Sequence, residues 1–312
     1  MKAEGIGRKA IKAVNGIVDI IILTVIILLV AYAVYALWDS KQIYRAADKA
    51  QYAVYKPTAE NEGKSFKELQ AINAEVIAWL SVYGTNIDYP VTQGPDNMKY
   101  VNTNAEGLYS LSGSIFLDAG NSKDFSDYNS IIYGHHMENK VMFGDIGTFS
   151  LKSVFDSHRY GNLYFDEKDH GLEFFAFVHT DAYDGLVFTP NVREENREAY
   201  LAGLAARAIH ERDIGIQPTD RIILLSTCSS SSTNGRDILI GRLTGDTFDD
   251  PFAGAETDDK TGQTGLEGLG NLVKEIPLLP LILLFMLAGR LIVCIVSIIH
   301  TNNQAKKENR KG

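Results

Sequence analysis

The chain has 312 residues, with 30 Lys and Arg against 39 Asp and Glu for a formal charge of −9, and two cysteines. A net acidic balance argues against a nucleic-acid binder, which needs a basic footprint. Two cysteines cannot form a disulfide framework, and no Cys/His cluster has zinc-ligand spacing. Hydrophobic residues at 45% exclude disorder over most of the chain.

In chain order, residues 1–16 form a basic tail carrying Lys2, Arg8, Lys9 and Lys12. Residues 17–38 are an apolar run, broken by one Asp and closed by Tyr35-Ala-Leu-Trp38. Such a run is long enough to cross a hydrocarbon core of about 30 Å. A cleaved signal peptide has a shorter apolar stretch, about 7–15 residues, followed by a small-residue cleavage site. The reading is therefore a retained anchor, with the basic N-terminus cytoplasmic. A second apolar run, 276–299, precedes a basic tail at 300–312 and predicts a second crossing. Pro277, Pro280 and Arg290 interrupt it, the arginine at a cost of about 2.5–3.5 kcal/mol on insertion scales.

Splitting the chain at these anchors changes the charge arithmetic. Residues 39–275 hold 21 Lys and Arg against 36 Asp and Glu, a net of −15, while the flanks carry +2 and +4. The middle therefore reads as an acidic domain held outside the membrane between two basic cytoplasmic ends. Cys294 falls in the second apolar run, which leaves Cys228 a lone thiol in the outer domain.

Within that domain, 39–64 reads as a polar, mostly helical stalk and 65–245 as the folded body. Ser65-Phe66-Lys67-Glu68 has the capping-box pattern of a helix start. Leu69, Ile72, Val76, Ile77 and Leu80 follow at helical spacing as a buried face. Past Gly84 the texture becomes β-rich, with strands expected near 86–93, 114–118, 129–134, 161–166, 172–182, 221–227 and 237–244. Seven short strands favour a mainly β barrel or sandwich. One long helix is expected at Arg193–His210, from its acidic first turns and its stripe of Tyr200, Leu201, Leu204, Ala205 and Ala208. Residues 246–275, rich in Gly, Asp and Thr, read as a flexible acidic linker.

Cys228 closes the apolar run Ile222–Thr227 and opens into a Ser/Gly-rich loop, a position where reactive groups tend to sit. A generic cysteine is more often a small buried hydrophobe. Two further segments supply matching chemistry. Asn129–Gly134 ends in His135-His136, and Arg236 opens the strand eight residues after the cysteine. A histidine makes thiolate available from a thiol of ordinary pKa near 8.5. An arginine can stabilise a tetrahedral oxyanion and stays charged at any working pH.

These residues sit in a wider resemblance. Asn129-Ser-Ile-Ile-Tyr-Gly-His135-His136-Met137 with Met142-Phe143, Leu225-Ser-Thr-Cys228 followed by Arg236, and Ile87-Asp-Tyr-Pro-Val-Thr-Gln93 with Asp96-Asn97 and Tyr100 resemble motifs of the sortases, class B above all. Gly113-Ser-Ile-Phe-Leu-Asp118 resembles another strand of that family, and the resemblance runs from about 66 to 245.

The resemblance implies a closed eight-stranded barrel with helices before it and one long inserted helix, flanked by the two membrane segments. The eighth strand is expected between Lys99 and Gly113. It further implies a cysteine transpeptidase on the outer face of a Gram-positive membrane, acting without metal or organic cofactor. By motif position, Cys228 is the nucleophile, His135 its acid/base partner and Arg236 the transition-state arginine. Thr227 and Ser226 are candidate substrate-binding residues, His136 is a bystander, and Arg242 is the rival arginine on the same face. The implied partners are a sorting-signal peptide and an amine from a cell-wall precursor or a pilin. A C-terminal membrane segment is commoner in class C, yet 39–64 lacks the Asp-Pro-aromatic lid of that class. Water as acceptor would make the chain a membrane-anchored cysteine protease, and loss of chemistry would leave a surface binding module.

Overall fold

The computed structural model describes residues 2–58, 64–229 and 234–254. The second apolar run expected at 276–299 lies outside the described residues. The chain divides into two units, one spanning 43–256 and one of which residues 2–42 are described. A single helix, α1, runs Lys2–Ala47, and from residue 13 it is long and apolar enough to cross a membrane.

The body is a barrel because one sheet closes on itself. Its strands are β1 (Val76–Val82), β2 (Asp88–Thr92), β3 (Ile115–Leu117), β4 (Asn129–Tyr133), β5 (Tyr160–Phe165), β6 (Lys168–Asp181), β7 (Ala208–Glu211), β8 (Arg221–Cys228) and β9 (Gly235–Thr244). They lie in the order β5-β1-β2-β3-β4-β8-β9-β6, and a β5–β6 pairing closes the ring at eight strands, with β7 added outside on β6. The β2–β3 and β4–β8 pairs are parallel and the others antiparallel.

Two cores explain why the wall strands are apolar on both faces. Inside the ring, Leu80, Ile132, Phe174, Phe177, Ile223, Leu225 and Leu239 form one cluster with Trp79 and Phe143. On the outside, Ile131, Ile222, Leu224, Ile238 and Ile240 form a second, covered by Val187, Val192, Tyr200 and Leu204. A strand buried on both sides reads as a continuous apolar run, as β8 does.

The same double burial corrects the sequence reading at 76–80. The helix expected to continue through Leu80 is α2, Lys64–Ile72, and it ends before Val76. Asn73 turns the chain: its side chain donates to Ala105 O and to Tyr100 Oη, both at 2.9 Å, and accepts from Glu75 N. Val76–Val82 then becomes β1, buried at all but one position. Apolar residues at nearly every position satisfy a helical spacing too, so periodicity alone could not separate the two. β1 is the eighth strand. Between Lys99 and Gly113 the described chain has only a 3-10 turn and the isolated bridge Thr103–Tyr109.

The long helix expected at 193–210 is shorter. After the short helix α3 (Lys152–Ser157) before β5, a 3-10 turn at Glu194–Asn196 leads into α4, Arg197–Ala205, and Ala208–Glu211 leaves the helix to pair with β6. Arg207 closes the helix, donating to Gly203 O at 2.9 Å while paired with Asp184 at 2.5 Å. The open edge of β6 then captures the following residues, a tertiary pairing that overrides their helical propensity.

The start of the stretch read as a linker is packed. Phe248 stacks on Tyr160 with centroids 4.2 Å apart, and Phe252 on His158 at 4.8 Å. Gly84, in the β1–β2 turn with φ +76°, makes the room, since a Cβ there would lie 2.6 Å from the Phe252 ring. Phe248→Ala should therefore cost about 1–3 kcal/mol, below the 3–5 of a fully buried Phe. Denaturant unfolding of residues 43–254 with and without the substitution measures it, and an unchanged midpoint would mean the stacked seat contributes nothing.

Candidate active site

Cys228 is a free, exposed thiol at the last position of β8. Its neighbours follow from register. β4 runs parallel to β8 from Asn129 opposite Ile222 to Tyr133 opposite Ser226, and Gly134 N donates to Ser226 O at 3.1 Å. Two residues beyond that last pair on each strand stand His135 and Cys228. Parallel pairing thus delivers both residues to the same end of the sheet. On the other side β9 is antiparallel, with Arg236 directly opposite Cys228.

Alternation then sets the face. Ile131, Ile222, Leu224, Ile238 and Ile240 belong to the outer core, so Tyr133, Ser226, Cys228 and Arg236 are on the outer face of the wall. His135 lies two residues beyond the end of β4, where its O accepts from Phe143 N at 3.1 Å. The three predicted residues are brought together at one end of three adjacent strands. The His135 ring is fixed by Nε2, 2.9 Å from Val101 O.

Arg236 and Arg242 share this face but differ in what they hold. Arg242 lies 2.6 Å from Glu173, which also binds Arg159 at 2.7 Å, and 3.8 Å from Asp220. Arg236 donates to the neighbouring Gly235 O and has no carboxylate partner among the described residues. It stands beside the thiol with its charge uncommitted, whereas Arg242 is about 20 Å further along the strand.

The two flanking hydroxyls separate. Ser226 shares the outer face with Cys228, whereas Thr227 is turned toward the barrel interior, opposite Asp237. Both are buried, and neither side-chain oxygen has a hydrogen-bond partner among the described residues. His136 has a buried Nδ1 without a partner among the described residues and lies on the strand-like bridge to Met142. Asp237 is held by His179 at 2.8 Å. Residues 230–233 of the loop after Cys228 lie outside the described residues.

The structure adds a junction to which the sequence reading gave no role. Asp118 Oδ2 accepts from Asn97 Nδ2 at 2.8 Å and from Tyr133 Oη at 2.9 Å, while Gly120 N donates to Oδ1 at 2.8 Å. Burial, and then the Asp118 carboxylate, push the Tyr133 phenol far above its ordinary pKa. Tyr133 stacks against Phe188 of the β6–β7 connection and packs on Phe116. All three junction residues stood in the quoted motifs, but only the fold shows that those motifs meet.

Known proteins resemble this chain in sequence and fold. A sortase B of Listeria monocytogenes is 30% identical over 200 residues, covering 62% of this chain and 81% of the relative. The crystal structure of sortase B from the type II pilus of Streptococcus pneumoniae is 47% identical, covers 57% of this chain and 98% of its own, and superposes with a TM-score of 0.51. A class B sortase of Streptococcus pyogenes involved in pilus biogenesis is 40% identical, covers 58% of this chain and 99% of its own, with a TM-score of 0.54. The chain belongs to the class B sortases. No protein-family model matches it.

In this sortase the Glu173 cluster offers a test of the arginine assignment. Burial alone would raise the Glu173 carboxyl, but hydrogen bonds from Arg159 and Arg242 hold it below its ordinary value. A depressed carboxylate stabilises the fold above its unfolded pKa, about 4.3, and that stability is lost as pH falls through the lower folded value. Glu173→Gln should cost about 1–3 kcal/mol at pH 7, the range for hydrogen bonds to charged groups. The difference from wild type should shrink on acidification below pH 4. A pH-independent difference in urea midpoints would contradict the ionic reading.

Proposed function

We propose that this sortase is a membrane-anchored transpeptidase in which Cys228 is the nucleophile, His135 the acid/base and Arg236 the oxyanion-stabilising cation. The observation that supports the reading is the register: the parallel β4–β8 pairing ends at Tyr133 opposite Ser226, two residues short of His135 and Cys228, and Arg236 stands opposite Cys228 on β9.

The chemistry follows from those positions. The Cys228 thiolate attacks the scissile carbonyl carbon of a sorting-signal peptide, and negative charge moves to the carbonyl oxygen beside the Arg236 guanidinium. The intermediate collapses, the C–N bond breaks, and the leaving nitrogen takes a proton from the His135 imidazolium. What remains is a thioester between Cys228 and the N-terminal part of the substrate. A neutral amine then attacks the thioester carbon and gives its proton to His135. The C–S bond breaks to regenerate the thiolate. His135 thus acts as acid in the first half and base in the second.

The names of the pneumococcal and S. pyogenes relatives, both tied to pili, support a pilin amine as acceptor, with a cell-wall precursor amine the other candidate. The α1 helix supports membrane anchoring, with the barrel on the extracytoplasmic side. The run at 276–299 supports a second crossing. Ser226, on the thiol's face, is the better placed of the two flanking hydroxyls to touch substrate. Water competes for the same thioester and would give hydrolysis.

Incubating the protein with sorting-type peptides, with and without a small amine, and following intact mass tests this. A peptide-sized adduct absent from Cys228→Ala and resolved to an amine-capped product is expected. Hydrolysed peptide alone, at a rate indifferent to amine, would make the chain a protease. Arg236→Ala should lower acyl-enzyme formation by about 10²–10³-fold, the cost of removing one oxyanion donor. Arg242→Ala should leave the rate per folded molecule within a few-fold. A reversal of that order would hand the role to Arg242.

A further inference from the structure

Four apolar side chains near the site stand in solvent without explanation. Met98 is 72% exposed, Leu108 61%, Tyr109 77% and Leu111 53%. Leu108 and Tyr109 lie on the return arm of a small hairpin and Leu111 just past it. Thr103 and Tyr109 form a β-bridge, Leu108 O accepts from Asn104 N at 2.8 Å, and Ser110 N donates to Asn102 O at 3.1 Å. Asn104 Oδ1 also accepts from the amides of Glu106 and Leu108, and Gly107 takes the left-handed turn position at φ +84°. The backbone is well bonded, and its small residues Ala105, Ser110 and Ser112 are buried while Leu108, Tyr109 and Leu111 point away. The exposure belongs to the fold.

Charge and chain length identify what meets these side chains. In a segment of the chain with a net of −15, residues 100–112 carry one charge, Glu106. Nearly uncharged sequence bearing Tyr and Leu suits the interfacial zone of a bilayer, where an acidic surface would be repelled by anionic headgroups. The tether is also short. Ala47, nine residues past Trp38, is buried, and its carbonyl accepts from Tyr89 Oη at 3.0 Å. Nine helical residues span about 14 Å, and even fully stretched they reach only about 30 Å. Five residues further, Tyr52 is buried in the same core cluster as Ala105 of the hairpin, and the two line one cavity. The hairpin is thus carried by the first part of the barrel unit to follow the apolar helix.

We propose that the hairpin segment Leu108–Leu111, together with Met98, is a lipid-contacting surface that seats in the outer leaflet. The occupant is the phospholipid interface, not a protein. This rests on the reading of residues 17–38 as membrane-spanning. Its consequence for the reaction is direct, because the same loop holds the catalytic-site histidine: Val101 O, at its base, contacts His135 Nε2 at 2.9 Å. A hairpin in the headgroups brings His135, which must deprotonate the incoming amine, to the level at which a lipid-linked acceptor presents one.

The test uses the full chain reconstituted in anionic vesicles doped with a phospholipid bearing a photoactivatable acyl chain, followed by peptide mapping of lipid adducts. Adducts are expected on 17–38, the internal control, and on 98–111. They should be lost from the loop but kept on the anchor in Leu108→Ser/Tyr109→Ser/Leu111→Ser, with Tyr109→Ser alone giving a partial loss. The triple variant should form the Cys228 adduct with a soluble peptide at the wild-type rate, which shows that it folds, yet react several-fold more slowly with a lipid-embedded amine. Adducts on the anchor and none on the loop would overturn the proposal while leaving the membrane reading intact. No adducts on either would remove the anchor itself. Crosslinks from the hairpin to a second protein chain in place of lipid would overturn the proposal in favour of a protein partner.

Discussion

The pairing of β4 with β8 is parallel, and the position of every residue in the candidate site depends on its register. Parallel neighbours end at the same side of a sheet, so two chain segments 93 residues apart in sequence present their last side chains together. A slip of one residue in β8 would turn Cys228 to the barrel interior. What forbids the slip is burial on both faces. Ile223 and Leu225 fill the ring, Ile222 and Leu224 fill the outer core, and each set is shaped for its own side. The polar site at the strand ends is therefore located by apolar packing beneath it.

That outer core needs a cover, which accounts for the elements outside the ring. The β6–β7 connection and α4 supply Val187, Val192, Tyr200 and Leu204. Asn129, at the far end of β4, binds the cover from below: its side chain donates to Thr189 O at 2.8 Å and accepts from Val192 N at 2.8 Å. Phe188, in the same connection, lies over Tyr133. The segment that seals the outer core thus also packs on Tyr133, the last residue of β4, whose register partner on β8 is Ser226.

How much of this was legible in the sequence follows from how local each signal is. Cys228, His135 and Arg236 could be named because each closes or opens a strand whose apolar run is visible by itself. β1 could not be separated from a helix, since a strand buried on both faces satisfies a 3.6-residue spacing as readily as a two-residue one. The end of α4 was hidden for a different reason: Ala-Arg-Ala-Ile-His continues a helix by propensity, and only the unpaired edge of β6 draws it away. The direction of Thr227 followed from alternation but became usable only once Leu225 was known to face inward. The Asp118 junction joins residues from three motifs, and no rule on sequence spacing brings Asn97 to Tyr133.

The seat of Phe248 and Phe252 bears on where the chain can fray. The chain enters the barrel unit past Lys49 and leaves it past Asp250, and both residues line one cavity beside the 83–87 turn. Entry and exit are neighbours on one side of the barrel. The cavity between them is walled by Ser81 and Val82 of β1, Asp88 of β2 and Asn162 of β5. Loosening of the chain at entry or exit therefore acts first on those strands, while Cys228 and Arg236 stand on β8 and β9, across the ring.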